Sequence, residues 1–356
     1  MPGAAQPSIL EIVRSSCKRV TDLHQEHIKI DSEAVFRIAA ELDPAQVKNL
    51  AASAGGRFPI KFESQQAEIN FLAVYHLLRF GSGYDNDLKA RAKRDVAEAV
   101  QFGVLGMHLS ATRLDGPWMR SFNAYSVHNF FGVESHEERP VPNLPGVTMS
   151  SPGPLHPLAT SLASAVSDAG HALDELGHKS FGEMILSVVS DLHTRQHPAP
   201  AAALVSELVE SFPGFQDSAL YDGATVTFAR KAQALVAALA ARFGSEDPRF
   251  AFADVSALTA DSGPLVAAAL RAKGAVVVQG ELAHTLDEGE ELPSGPHERA
   301  LRAAAVTACE EIVTAAGGPG VFSAHELSLY LGQLGEEGQE LRGQLKPHLT
   351  KGTQAY

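Results

Sequence analysis

The sequence is poor in cysteine and has no long hydrophobic run, and both absences exclude classes of protein. Its 2 cysteines in 356 residues are too few for the disulfide framework of a small secreted domain. Cys17 and Cys309 fit no metal-ligand spacing, so we expect two reduced structural thiols. No stretch approaches the roughly 18 apolar residues of a transmembrane helix, and the N-terminus lacks a secretory pattern. We therefore expect a soluble cytoplasmic protein without membrane contact.

Positive charge is also scarce. The chain has 29 Lys and Arg against 42 Asp and Glu, a formal net charge of −13. Proteins that bind duplex nucleic acid need a basic surface to displace phosphate counterions, so this balance argues against that class. It remains compatible with a small anionic ligand held by a few cations. The 15 histidines show neither HxH nor HExxH spacing, so no zinc or other metal site is predicted.

What the sequence does contain is helical periodicity. The stretch from Ile69 to Phe80 is almost entirely apolar and predicts a buried helix, and Ser32 is predicted to cap a helix that ends before Asp43. Stretches rich in alanine and leucine predict helices at 158–176, 201–212, 231–243 and 299–315. Residues 226–228 and 275–278 are strand-like, but short enough to be helix or loop. The prediction is an all-α fold, and two helical lobes around a cleft fit the pattern.

Two segments interrupt the helical pattern. Residues 136–159 are rich in proline, glycine and serine and are predicted to form a long ordered loop or a crossing between lobes. Residues 287–298 are acidic and punctuated by glycine and proline, which is typical of an exposed connector.

A first candidate constellation follows the buried helix. Asn70 lies inside the apolar stretch, where a buried amide needs hydrogen-bond partners. Gly83 lies in "FGSGY", where glycine permits a turn or a close approach to a ligand. Asn70 could tie two helices together and Gly83 could cap the helix, or both could contact a ligand. The residues themselves leave these alternatives open.

A second constellation combines two cations with a distant carboxylate. Arg230 and Lys231 follow the predicted start of a helix near Phe228, where cations oppose the helix dipole, so an anionic group is indicated nearby. A solvated basic face is the alternative. Asp261 precedes Gly263-Pro264 and an apolar helix, and it could cap that helix or lie in a cleft opposite Arg230. The intervening chain is long enough for a helix and a returning loop.

The motifs "VESFPGFQD", "VTFARKAQALVA" and "FADVSALTADSGPLV" resemble the queuosine salvage protein family, the queuosine 5′-phosphate N-glycosylase/hydrolases. Further likeness lies in "FPIKFESQQAEINF", "FGSGY" and the terminal "KPHLTKGTQAY". The resemblance covers residues 55–356 and implies a hydrolase domain there, with helical lobes around a central cleft. Residues 1–54 are then predicted to form an N-terminal helical extension.

The resemblance implies a fold related to the helix-hairpin-helix DNA glycosylases. It also implies hydrolysis of the N-glycosidic bond of queuosine 5′-monophosphate, which releases queuine for tRNA queuosine salvage. The implied partner is therefore a small-molecule nucleotide, and neither a metal nor a redox cofactor is implied.

The resemblance also assigns candidate site residues. Asp261 matches the family's carboxylate, which would stabilise positive charge developing on the ribose or orient the attacking water. Arg230 and Lys231 match a basic motif that would hold phosphate or ribose oxygens. Queuine would contact aromatic and amide groups, for which Asn70, Phe71, Tyr84 and Phe228 are the matching candidates, and Asp217 would meet its amine. His348 and Lys351, near the end of the sequence, would close over the substrate, and Gly83 is a further substrate-binding candidate.

Departures from the family pattern suggest a second hypothesis. Ser262-Gly263 stands where many members have an aromatic and then a basic residue, and Asp85 follows Tyr84 where some have an aromatic or basic residue. A non-catalytic helical protein that binds queuine or a nucleotide is therefore the alternative. A DNA-repair glycosylase, suggested by the related fold, is disfavoured by the net charge of −13.

Overall fold

The computed structural model describes residues 6–54, 58–110, 113–144, 146–335, 339–341 and 343–356, excluding the side chains of residues 53 and 54. Helices dominate, and the strands in these residues form only two-stranded sheets, which confirms the predicted all-α class. The kinship with helix-hairpin-helix glycosylases stays a prediction. The chain divides into two compact units. The first unit comprises Met1–Lys61, Ser187–Glu210 and Phe215–Leu349, and the second comprises Phe62–Leu186, Ser211–Gly214 and Thr350–Tyr356.

The elements follow one another along the chain as short to medium helices with three strand pairs between them. The helices are α1 (Ile9–Leu23), α2 (Ser32–Glu41), α3 (Pro44–Ala54), α4 (Gln65–Leu77), α5 (Asp85–Ala92), α6 (Val96–Leu109), α7 (Gly116–Arg120), α8 (Ala124–Phe131), α9 (His156–Glu175), α10 (Phe181–Thr194), α11 (Pro200–Ser211), α12 (Arg230–Phe243), α13 (Pro264–Ala272), α14 (Gly280–Glu288), α15 (Pro296–Ala315) and α16 (Ala324–Gln333). The strands are β1 (Ile28–Ile30), β2 (His136–Pro140), β3 (Thr148–Pro152), β4 (Ser218–Tyr221), β5 (Ala224–Thr227) and β6 (Val276–Val278).

Helix α15 lies at the core of the first unit. It packs against α1, α2, α13 and α16, and alanine is the commonest of its buried residues. Alanine favours the helix and leaves room for close neighbours. The four helices predicted from alanine and leucine content are confirmed as α9, α11, α12 and α15. The strand-like stretch at 275–278 contains β6, which pairs antiparallel with β1.

The start of α2 differs from the prediction by one residue. The cap is Asp31, whose Oδ1 accepts the Ala34 N–H at 2.9 Å, and Ser32 is the first helical residue. A carboxylate is as good a capping acceptor as a serine hydroxyl, so two adjacent candidates were available. The helix ends at Glu41, before Asp43-Pro44 as predicted.

In the second unit, the buried helix predicted from Ile69 onward is confirmed as α4. Its residues from Ile69 to Leu77 are buried almost without exception, so no amphipathic stripe is present. Ser64 caps the helix, because its Oγ accepts the Ala67 N–H at 3.1 Å.

The segment 136–159 is not the continuous loop predicted from its composition. β2 and β3 pair antiparallel, from His136 opposite Pro152 to Pro140 opposite Thr148, and α9 already begins at His156. In a two-stranded ribbon every strand is an edge, where a proline without an N–H is tolerated. Asn143 and Gly146 have left-handed φ values of 65° and 81°, so the turn formers lie in the connection and the prolines do not prevent pairing.

The segment 287–298 is likewise not wholly an exposed connector. Leu292 is buried and its N–H donates to the carbonyl of Leu349 at 2.8 Å. Glu298 is 4% exposed and already belongs to α15. The sequence does not reveal these contacts, because a buried acid that pairs with a cation has the same letter as an acid on the surface. The predicted boundary at residue 54 stays a prediction.

Candidate active site

Arg230 and Asp261 form an ion pair in the first unit. Arg230 Nε donates to Asp261 Oδ1 at 2.7 Å, and the two side chains are 12% and 13% exposed. Both side chains are thus mostly buried but keep some exposure to solvent. The expectation of an anionic group near the start of α12 is confirmed, and a purely solvated basic face is excluded.

Asp217 sets the position at which α12 begins. Its backbone carbonyl accepts the Phe228 N–H at 2.8 Å, and its Oδ2 accepts the Arg230 N–H at 3.3 Å. These bonds continue the β4–β5 hairpin, so α12 starts at Arg230, two residues after Phe228, near which the start was predicted. Ala229 between them is fully buried with φ 51° and ψ 34°. A left-handed non-glycine residue is strained and persists only where its surroundings over-determine it.

Asp261 is not the N-cap of α13. That position belongs to Gly263, whose N–H donates to Asp261 Oδ1 at 2.6 Å. A Cβ on Gly263 would lie 2.7 Å from Asp261 Oδ1 and 3.0 Å from Arg230 Nε. The glycine therefore leaves the space in which the ion pair forms, which gives a local reason for a glycine at this position.

The backbone around Asp261 is fixed by buried hydrogen bonds. Its own N–H donates to Ser328 Oγ at 2.9 Å. Two residues earlier, the Thr259 N–H donates to Gln233 Oε1 at 2.8 Å, and Gln233 Nε2 donates to the Phe228 carbonyl at 2.9 Å. The backbone that carries the Asp261 carboxylate is therefore held in place by side chains of α12 and α16.

Arg302, which was not among the predicted site residues, is linked to this pair through Asp217 and Ser262. It is 3% exposed on α15 and donates through Nη2 to Asp217 Oδ2 at 2.6 Å and to Ser262 Oγ at 3.0 Å. Its guanidinium carbon lies 3.8 Å from the centre of the Phe228 ring. Its signals in the sequence are weak. It opens the stretch "RAAAVTACEEIV", which shares the likeness to the family, and it stands four residues after Glu298 in an alanine-rich helix, a spacing that surface helices share.

Lys231 and His348 are buried in the same unit. Burial lowers the pKa of Lys231 to about 7, against the raising effect of Asp217. Burial, together with Arg302 and Arg271, lowers the pKa of His348 to about 3. At neutral pH the His348 ring is therefore uncharged and suited to hydrogen bonding, while Lys231 loses its proton more readily than an exposed lysine.

Five candidates lie in the second unit. Asn70 is 9% exposed and its Nδ2 donates to the Leu114 carbonyl at 2.7 Å, so it ties α4 to the segment before α7. Phe71 is 1% exposed and contacts the rings of Phe62 and His108. Both side chains therefore have structural contacts within this unit.

Gly83, Tyr84 and Lys351 are brought together in the second unit. A Cβ on Gly83 would lie 2.2 Å from the Thr350 carbonyl oxygen, so the glycine admits the terminal segment. Gly83 does not cap α4, because the C-cap of that helix is Leu78. Lys351 Nζ lies 5.5 Å from the centre of the Tyr84 ring and pairs with Asp87 at 3.0 Å. This arrangement explains why a glycine precedes Tyr84.

Asp85 joins two helices. It begins α5, and its Oδ1 accepts the Val96 N–H at the start of α6 at 2.9 Å. Burial raises its pKa to about 6, against the lowering effect of the Val96 bond. The carboxylate thus acts as an acceptor for a helix end within this unit.

Both cysteines are free buried thiols, as expected, and burial raises the pKa of each. Among the residues that the structure describes, no group of three His, Cys, Asp or Glu side chains is arranged to hold a metal ion. Nor does any helix in the described part of the chain combine the length and hydropathy of a membrane span.

Comparison with known proteins agrees with the resemblance seen in the motifs. The model of the queuosine salvage protein family matches residues 147–330. Over 155 residues the chain is 36% identical to a protein of Sphaerobacter thermophilus named queuosine 5′-phosphate N-glycosylase/hydrolase; the alignment covers 42% of this chain and 46% of that protein. The chain thus spans about half the length of the curated relative it matches. The family match includes Asp217, Arg230, Asp261 and Arg302, and the chain belongs to the queuosine salvage protein family.

Proposed function

We propose that this chain hydrolyses the N-glycosidic bond of queuosine 5′-monophosphate and releases queuine for tRNA queuosine salvage. The observation that carries the proposal is the enclosed Arg230–Asp261 pair, with Nε and Oδ1 2.7 Å apart, in a chain of this family. The name of the Sphaerobacter relative supports the same reaction.

The proposed chemistry follows from where charge develops. As the base departs, the ribose gains positive charge, and a fixed carboxylate beside it lowers the energy of that state. Asp261 is our choice for this group, because its backbone and its Oδ1 are both held by hydrogen bonds. The same carboxylate can orient the attacking water or take its proton. Arg230 and Lys231 would hold oxygens of the phosphate or ribose, and the substrate-binding roles of the remaining candidates stay proposals.

The test is hydrolysis of queuosine 5′-monophosphate, with queuosine nucleoside in parallel and released queuine separated by chromatography. Asp261→Asn removes the charge and keeps the shape, so we expect kcat to fall by ~100-fold or more. The matched control is Asp247→Asn, another partly buried aspartate paired with an arginine, at 2.6 Å from Arg249, which should retain activity. Absence of queuine from the wild-type reaction would contradict the proposal.

One observation favours the non-catalytic alternative. Asp261 Oδ1 already accepts two hydrogen bonds from protein groups, Arg230 Nε and the Gly263 N–H. A carboxylate satisfied in this way can serve to hold Arg230 in a binding site. Tight binding of queuine or the nucleotide, without turnover and unchanged in Asp261→Asn, would support this second function.

A further inference from the structure

Arg302 holds both segments that carry the Arg230–Asp261 pair. On the α12 side it binds Asp217 Oδ2, the oxygen that also accepts the Arg230 N–H. On the Asp261 side it donates to Ser262, through Nη2 to the hydroxyl at 3.0 Å and through Nε to the carbonyl at 3.3 Å. The Arg302 guanidinium therefore binds Asp217, which accepts the backbone N–H of Arg230, and also Ser262, which follows Asp261 in the chain.

The surroundings of Arg302 suit a guanidinium and not another cation. The charge is balanced within the first unit by Asp217 at 2.6 Å and Glu298 at 3.6 Å, with all three side chains 3–5% exposed. The flat group stacks on Phe228 while its edge donates in two directions. An ammonium group can neither stack in this way nor reach the separate acceptors from one planar fork.

Burial also indicates how Arg302 acts. With its side chain 4% exposed, and with carboxylate, hydroxyl and carbonyl acceptors already bound, it presents little surface to a ligand. Its influence on a substrate would pass through the residues that it holds.

We infer that Arg302 is a positioning residue, which fixes the Asp217 and Ser262 segments so that Arg230 and Asp261 meet in the geometry seen here. The kinetic part of this inference rests on the proposed function. A displacement of about 1 Å in a reacting group can cost ~100-fold in rate, so the consequence is large even without a direct contact to substrate.

The kinetic test compares Arg302→Lys with Arg249→Lys, a matched arginine that pairs with Asp247 away from this site. We expect Arg302→Lys to lower kcat by ~10-fold to ~100-fold, and Arg249→Lys to leave it near wild type. Arg302→Ala should regain part of its activity in millimolar guanidinium, which restores the missing group. In the Asp261→Asn background, Arg302→Lys should add little, because residues that act as a unit are non-additive.

The second readout does not depend on activity. Backbone hydrogen exchange at Arg230 and Gly263 should accelerate in Arg302→Lys, since both amides donate to the carboxylates of the network. Exchange in the β1–β6 pair, elsewhere in the first unit, should stay unchanged and reports that the variant is folded.

The outcomes separate the two proposals. Inactive wild-type protein whose Arg302→Lys variant shows faster exchange at Arg230 and Gly263 would refute the proposed function and retain the positioning role. Additive losses in the double variant, or exchange at Arg230 and Gly263 that matches wild type, would overturn the inference. Acceleration throughout the first unit would also overturn it, because Arg302 would then stabilise the fold generally.

Discussion

Gly263 shows how a single missing side chain can shape a site. Its backbone, at φ −77° and ψ 165°, suits any residue, so the need for glycine is not conformational. The need arises from space, because Asp261 Oδ1 and Arg230 Nε occupy the volume that a Cβ would fill. Ser262 beside it is 1% exposed and accepts from Arg302. Ser262 and Gly263 are thus fitted to the ion pair of this chain.

We predict that Gly263→Ala disrupts the Arg230–Asp261 pair while the protein stays folded. The added methyl would lie 2.7 Å from Asp261 Oδ1, so the carboxylate or the guanidinium must move. Hydrolysis of queuosine 5′-monophosphate should fall by ~10-fold or more, measured as kcat. The control is Gly332→Ala within α16, where nothing lies within 4 Å of the added Cβ. That variant should keep full activity and gain about 0.5–1 kcal/mol in unfolding free energy. Equal activities in the two variants would refute the steric account.

The joint between the β4–β5 hairpin and α12 is the element on which the site depends. A hairpin turn at Asp222-Gly223, with φ values of 46° and 72°, returns the chain toward Asp217. Asp217 then fixes the first residue of α12. A strained Ala229 in this joint shows that the tertiary bonds outweigh the local backbone preference.

We predict that Asp217→Asn destabilises the protein strongly. The change leaves Arg302 as a buried cation with weaker compensation, and breaking a buried pair of this kind costs ~3–5 kcal/mol. Asp247→Asn breaks a more exposed pair, with Arg249 32% exposed, and should cost only about 1 kcal/mol. Denaturant unfolding of both variants measures the difference. A loss for Asp217→Asn no larger than that for Asp247→Asn would contradict the importance of this joint.

Within the first unit, a cluster of three histidines joins distant parts of the chain. His24 Nε2 and His297 Nδ1 are 2.9 Å apart, and the rings of His24, His27 and His297 lie 5.1–5.3 Å from one another. The Tyr221 hydroxyl of the hairpin also contacts His24 Nδ1. The end of α1, the hairpin and the start of α15 are thereby held together.

This cluster should make folding sensitive to acid. Burial, and then the neighbouring imidazoles, lower the pKa of both His24 and His297 below 6.5, while Glu26 opposes this for His24. The unfolded chain then binds more protons than the folded one just below pH 6.5, so unfolding free energy falls as the pH decreases through that region. We expect His297→Gln to weaken this pH dependence and the exposed His284→Gln to leave it unchanged. Identical pH profiles for wild type and His297→Gln would contradict the prediction.

Much of the architecture follows from local signals. Apolar periodicity and helix-forming composition predict helices such as α4 and α15, because those properties act within a few residues. The β2–β3 hairpin was missed because proline-rich composition indicates a loop wherever the pairing partner is unknown. Asp261, Arg230 and Asp217 were found through motifs, as residue types in a recognisable order.

The order of residues in the motifs predicted the candidate site residues, whereas the pairing of their side chains depended on the fold. The sequence alone yielded the all-α class, the family and the carboxylate at Asp261. It could not show that Arg230 binds Asp261 rather than solvent. Nor could it show that Arg302, on α15, holds both the Asp217 segment and the Ser262 segment. Contacts between residues far apart in the chain depend on which helices pack together, and a buried ion pair has the same letters as a surface one. The geometry of this site is therefore a property of the folded first unit.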